Sequence, residues 1–316
     1  MAEWCKERKS SMKRAWITIG AFDGIHLGHQ KIINNLVEGA KRTDAPSIVI
    51  TFFPHPAALI KNITDPYYLT SPEEKDRILS KLGVNSILTM HFNHSISRLS
   101  PRDFIRTLHR QLKFSCLLIG HDFRLGADRE GDLKRLEYLG TKMGFCVRAT
   151  APLKQQSKPI SSSIIRAALK KGDLSTANTL LGYPYTIEGT VVHGDGRGKH
   201  IGIPTANLSV WEKKLLPAEG VYAAFALINR SRFPTVVSIG FRPTFYEIPE
   251  QQTIEAHIFN FSDQIYGMQI KLQFISRLRQ EKKYESVNEL MEQIRKDFSD
   301  AEEVLTNDTT PTDISS

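Results

Sequence analysis

A chain of 316 residues, 41% hydrophobic and 24% charged, is long enough for two domains and has the composition of an ordinary globular protein. Its net charge of +8 comes from 42 basic and 34 acidic side chains, and the basic residues are spread along the chain, with no basic motif interleaved with aromatics of the RRM type. No apolar run approaches the ~18 residues of a membrane span, and Lys6, Arg8, Lys9, Lys13 and Arg14 precede no apolar stretch, which argues against a signal peptide.

Cys5, Cys116 and Cys146 are scattered without C-x-x-C spacing. They fit a reducing cytoplasm and argue against a disulfide framework or a zinc site.

After a basic segment (1–14), the first element is a strand opening at Trp16, followed by Gly20-Ala-Phe22-Asp23-Gly24-Ile-His26-Leu-Gly28-His29 and the helical pattern Ile32, Ile33, Leu36, Val37, Ala40. A helix that starts just after such a strand points its unpaired N–H groups and positive dipole end at the crevice beyond the sheet. Gly20, Gly24 and Gly28 let a ligand approach the backbone there. His26 and His29, three apart, share the face of the first helical turn, which suits a polyphosphate. Two histidines so spaced are also compatible with a metal or with a merely polar helix start. The loop is neither a dinucleotide fingerprint nor a Walker A loop.

A second buried strand ends at Pro54-His55-Pro56, since proline cannot donate to a sheet ladder. Ser71-Pro72 opens a helix, Ile87–Phe92 reads as a third strand, 101–113 as a helix, and Cys116–Ile119 as a fourth strand running into Gly120-His121-Asp122-Phe123. A helix over 128–143 and a short strand at 145–148 complete an alternation that implies a parallel sheet with right-handed crossovers. Asp23, His55 and Asp122 then all follow carboxyl ends of strands, where such sheets bind ligands. Ile160-Ser161-Ser162-Ser163-Ile-Ile-Arg166 is a second helix entry: either a well-capped helix with a solvated arginine, or a second anion grip.

From Tyr185 the text turns to short β-rich runs at 185–193, 219–229, 233–240, 252–261 and 268–276 with no helix between them, the pattern of an antiparallel barrel. Ser286-Val-Asn-Glu289 is a capping box opening a helix with Val287, Leu290, Ile294 and Phe298 on one face, expected to pack on the barrel. Residues 306–316 read as a disordered tail. Gly194, Gly196, Gly198, Lys199 and Gly202 make a glycine-rich basic flap before Pro204-Thr205-Ala206-Asn207. Thr205 and Asn207 offer oxygen ligands of the kind Mg²⁺ prefers, or are ordinary members of a surface turn. Glu255, mid-strand between apolar neighbours, is either a solvent-face residue or a general base.

Taken together, these segments resemble the bifunctional bacterial riboflavin kinase/FMN adenylyltransferase family, the prokaryotic FAD synthetases, over residues 15 to 303. The loop at 20–29 is similar to that family's HxGH-type nucleotidyltransferase motif, residues 160–166 to its I-S-S-T-x-I-R motif, and residues 204–207 to the P-T-A-N signature of its kinase part. Glu255 with His257, and Leu278-Arg279-Gln-Glu281, fall in family order. The chain departs from the family pattern at Ala21, Phe53, Leu125 and Asn260, positions that bear on flavin affinity and relative rates more than on the chemistry.

The resemblance implies a Rossmann-like α/β adenylyltransferase domain with a parallel sheet (15–184) and a six-stranded antiparallel β-barrel kinase domain with a terminal helix (185–305). Two reactions would follow in the cytoplasm, with small molecules (ATP, riboflavin, FMN) as partners, Mg²⁺ as cofactor, and no nucleic acid, membrane or obligate protein partner. It implies ATP contacts for adenylylation from Gly20, Phe22, Asp23, Gly24, His26, Gly28, His29, Ser161, Ser162 and Arg166, and flavin contacts from His55, Asp122, Phe123 and Arg279. For the kinase it implies Gly194, Gly196, Gly198, Lys199, Gly202, Pro204, Thr205 and Asn207 at ATP, Thr205 and Asn207 at the metal, and Glu255 as base. His26, His29 and Arg166 would be the catalytic groups of adenylylation.

Overall fold

The computed structural model describes residues 14–155, 158–194, 202–241 and 252–308. Most of the basic segment, the flap residues Gly196, Gly198 and Lys199, and residues 309–316 of the tail lie outside the described residues. Two compact units emerge: of the described residues, the first takes 14–64 and 72–160, and the second 65–71 and 161–308.

The first unit alternates strands and helices, as the sequence pattern predicts: β1 (Trp16–Ile19), α1 (Leu27–Arg42), β2 (Ser47–Phe53), α2 (Pro56–Ile60), α3 (Pro72–Lys81), β3 (Ser86–His91), α4 (His94–Ser97), α5 (Pro101–Leu112), β4 (Cys116–Gly120), α6 (Leu133–Met143) and β5 (Cys146–Thr150). A two-residue hairpin, β6 (Lys154–Gln155) with β7 (Lys158–Pro159), follows. The sheet is parallel in the order β3-β2-β1-β4-β5, so the winding direction reverses between β1 and β4. At that reversal the loops leaving β1 and β4 diverge and open a crevice beyond the strand ends. Ile17, Ile19, Ile50, Leu117 and Ile119 bury one face of the sheet against Ile105 of α5 and Leu136 of α6.

One expectation is overturned here. Cys116 and Cys146 are register partners on adjacent parallel strands and form a disulfide. Their separation of 30 residues hides a proximity that only the crossover through α6 creates.

The second unit opens with α7 (Ser162–Lys171) and α8 (Leu174–Leu181). It continues as a closed antiparallel barrel of β8 (Tyr185–Val192), β9 (Ala206–Val210), β10 (Gly220–Ile228), β11 (Ser231–Phe241), β12 (Gln252–Ile258) and β13 (Gln269–Arg279), in the order β10-β11-β12-β9-β8-β13. Asn178 clips α8 to it, donating to Phe274 O at 2.9 Å and accepting from Tyr185 N at 2.7 Å. Helix α9 (Val287–Thr306) starts at the predicted cap, with Ser286 Oγ accepting from Glu289 N at 3.2 Å. Its packing face differs from the expected one: Val287 is 63% exposed, and Phe298, Ala301, Val304 and Leu305 make the contact with Val221, Phe225 and Val236.

Candidate active sites

The loop between β1 and α1 follows directly from its sequence. His26 caps α1, its Nδ1 accepting from His29 N at 3.3 Å, and the two imidazoles stack with centroids 3.7 Å apart. Phe22 meets His29 edge-on at 5.2 Å. The backbone is contorted: Phe22 and Ile25 have φ of +47° and +30°, and Gly24 between them has +78°. Such φ values are costly for side chains with a Cβ and cluster at functional sites. At Gly20 and Gly28 a side chain would crowd the loop's own rings. A Cβ on Gly20 would lie 3.0 Å from the Phe22 ring, and one on Gly28 3.2 Å from the His26 ring. Their space is taken by the loop's own aromatic rings. Asp23 and His26 are 2% and 5% exposed.

His55 and Asp122 follow the carboxyl ends of β2 and β4, and His55 Nδ1 accepts from Ala57 N at 3.1 Å to cap α2. Phe123 is partly buried against the hydrophobic core of this unit, and Leu125 is a core residue. Sequence reading missed Lys75. It is buried on α3, and its ammonium donates to Ala21 O and to Thr51 Oγ1, each at 3.1 Å. Burial lowers its pKa, opposed by the nearby carboxylates of Asp23 and Asp76. The available signal was spacing, since Lys75 lies one helical turn before the buried Leu79.

In the second unit, Ser161 caps α7 by accepting from Ile164 N at 3.4 Å. Arg166 is not a solvated arginine. It is 7% exposed, donates from Nε to Tyr67 O at 2.8 Å, and holds its guanidinium 3.8 Å from the Tyr67 ring centroid.

Barrel register assembles the remaining predicted residues. Asn207 on β9 pairs with Glu255 on β12, Glu255 with Ser238 on β11, Ser238 with Val221 on β10, and Val221 with Arg279 on β13. Directly opposed residues share a face of the sheet. That face is the outer one, because Ile254, Ala256 and Ile258 alternate with Glu255 and His257 as the buried side chains of β12, and Val221 packs on α9. Thr205 donates to Glu255 Oε2 at 3.2 Å. His257 Nδ1 lies 2.8 Å from Pro204 O, a contact to a carbonyl that requires the nitrogen to carry the proton, and its ring stacks on Phe298 at 4.6 Å. The backbone of Gly194 lies so close to the Asn207 side chain that any Cβ would collide with it.

Arg279 is engaged. Asp297 of α9, 3% exposed, accepts from its Nε and Nη2, each at 2.8 Å, while Nη1 donates to Gln280 O. Hydrogen bonding to Asp297 holds the guanidinium more firmly in its charged form. Asn260, where the resembled family usually has Asp, sits at φ +54°, a conformation that Asn and Asp tolerate alike. Among the described residues no group of three or more His, Cys, Asp or Glu side chains is placed to hold a metal ion.

A switch-point loop whose following helix is capped by His26 in one unit, and a carboxylate beside hydroxyl and amide groups in the other, are the equipment of phosphate-transferring enzymes. A family model described as FAD synthetase matches residues 8–164, and one described as riboflavin kinase matches residues 181–305. The chain is 38% identical over 302 residues to a bifunctional riboflavin kinase/FMN adenylyltransferase of Bacillus subtilis, covering 95% of each chain. It is 37% identical over 291 residues to that of Escherichia coli strain K12, covering 91% of each. A solved structure from Streptococcus pneumoniae, described as a macrolide-efflux protein, is similar with a TM-score of 0.83 at 30% identity, over 95% of this chain and 97% of that one. No helix among the described residues here is long and apolar enough to cross a membrane. The chain belongs to the bifunctional riboflavin kinase/FMN adenylyltransferase family.

Proposed function

We infer that this chain phosphorylates riboflavin to FMN in the barrel and then adenylylates FMN to FAD at the loop after β1, each step consuming one ATP. Its membership of the bifunctional family supplies the pair of activities. The observation that carries the kinase assignment is the Thr205–Glu255 contact, placed in register with Asn207.

In the kinase step the Glu255 carboxylate takes the proton of the riboflavin 5′-hydroxyl as that oxygen bonds to the γ-phosphorus, and ADP departs with the electrons of the broken P–O bond. Thr205 steadies one carboxylate oxygen, and His257 steadies the segment carrying Thr205 through Pro204. The hydroxyl of Thr205 and the amide oxygen of Asn207 are hard donors that would hold Mg²⁺ if it binds beside the triphosphate. When bound, the ion neutralises triphosphate charge. Arg279 serves the flavin while held by Asp297 as half of an ion pair.

In the adenylyl step an FMN phosphate oxygen attacks the α-phosphorus of ATP and pyrophosphate leaves. The nucleophile is already ionised, so the protein supplies position and charge neutralisation rather than a base. His26 and His29 at the start of α1 do this, while Asp23, His55, Asp122 and Phe123 serve adenosine or flavin. We place both reactions in the cytoplasm, where ATP is abundant.

Incubation of the full chain with riboflavin, excess ATP and Mg²⁺, followed by chromatography of the flavins, tests the reading. FMN should rise and then give way to FAD. Glu255→Gln should leave riboflavin unconverted yet still make FAD from added FMN, and His29→Ala should stop at FMN. A single variant that abolishes both steps equally would overturn the two-site assignment.

A further inference from the structure

We propose that Lys75 is a positioning residue for adenylyl transfer, acting through the backbone of the loop between β1 and α1 without touching substrate. The inference rests on the assignment of that loop as the nucleotide site of the first unit.

The loop holds Phe22 and Ile25 at positive φ, a shape that persists only where the surroundings over-determine it. Lys75 and Thr51 supply that constraint. Lys75 Nζ donates to Ala21 O and to Thr51 Oγ1, and Thr51 Oγ1 donates to the same Ala21 O, all at 3.1 Å. The triangle is buried, with Thr51 0% and Lys75 6% exposed. Both lone pairs of the Ala21 carbonyl are therefore used, and the next residue is the strained Phe22. The Phe22 ring in turn covers Gly20 and meets His29 edge-on. A displacement of Ala21 O reaches His29 through one aromatic ring.

The chemistry of the anchor points the same way. A buried ammonium generally contributes less to stability than an apolar side chain of similar volume would. A charge retained at this position, 54 residues from the carbonyl it holds, is better explained by the loop conformation it enforces. The charged groups acting on Lys75 are Asp23, within the loop itself, and Asp76 beside it on α3, and both favour the ammonium form. The departure at Ala21 is also accounted for. This residue works through its carbonyl oxygen, which any side chain leaves in place.

The test is steady-state kinetics of both half-reactions on the full chain, with FMN formation as the internal reference. Lys75→Met should lower kcat for FAD formation about 10²-fold, the scale of a misplacement near 1 Å, with a smaller change in KM for ATP. Riboflavin phosphorylation should be unchanged. Lys75→Ala should regain part of the lost rate when a primary alkylammonium ion is added, and Lys75→Arg should retain more activity than Lys75→Met. Undiminished FAD formation by Lys75→Met, or a loss that neither arginine nor added amine restores, would overturn the proposal. His29→Ala in parallel separates the two levels: if it is inactive while Lys75→Met is active, only this inference falls, whereas full activity of His29→Ala removes the loop assignment and this inference with it.

Discussion

Thr205 and Glu255, 50 residues apart, meet on the outer face of the barrel, the hydroxyl donating to Glu255 Oε2 at 3.2 Å. A carboxylate held in this way keeps its second oxygen for another proton. Glu255→Gln retains the shape and loses the proposed base, so riboflavin phosphorylation should fall by roughly 10²–10⁴. Adenylylation of added FMN should be untouched. Separate rate measurements with riboflavin and with FMN as the starting flavin check both statements.

The stack of His26 on His29 predicts a different loss. On the proposed assignment, His29→Ala removes a group that would act on the triphosphate, while leaving His26 to cap α1. FAD formation should drop by on the order of 10²–10³, the usual cost of one transition-state charge contact, and FMN should accumulate. His26→Ala should add a stability loss of about 1 kcal/mol from the missing cap, which thermal unfolding of the two variants would resolve.

The contrast between these two sites explains what was legible in the sequence. The loop from Gly20 to His29 is contiguous, and its helix cap and glycine spacing follow from local rules. The meeting of Thr205 with Glu255 depends on β9 pairing with β12, a register that no local pattern encodes. The pairing of Cys116 with Cys146 escaped notice for the same reason, since a crossover brings them together. Lys75 was hidden differently: a lysine among Glu73, Glu74 and Asp76 reads as part of a solvated helix face, and only the tertiary fold turns it inward. For α9 the apolar stripe was visible, but its N-terminal end at Val287 meets solvent, and the buried contact begins at Asp297 and Phe298.

Asp297 is the next point of leverage. It binds Arg279 through two oxygens and also accepts from Gln293 Nε2 at 2.9 Å, so the pair sits in a network on the inner side of α9. Asp297→Asn removes the charge while nearly preserving the volume, and should cost about 2 kcal/mol, as for other hydrogen bonds to charged groups. It should also release the guanidinium, raising KM for riboflavin more than it lowers kcat. Chemical denaturation and kinase kinetics of the variant check the two expectations independently.

Tyr222 gives the barrel a defined alkaline response. Its ring is fully buried against Phe274, its hydroxyl donates to Ala218 O, and burial pushes its pKa up to about 12. The unfolded chain ionises this phenol near its ordinary value of about 10. Between those two values the unfolded state binds fewer protons than the folded one, so stability falls as pH rises. The contribution is complete below about pH 10 and is lost as pH climbs through about 12. Urea titrations of the wild type at a series of pH values should show that decline. Tyr222→Phe should be about 1 kcal/mol less stable at pH near 8 for want of the hydrogen bond, yet should lose less on going to high pH. Equal alkaline slopes for the two proteins would assign the response to another group.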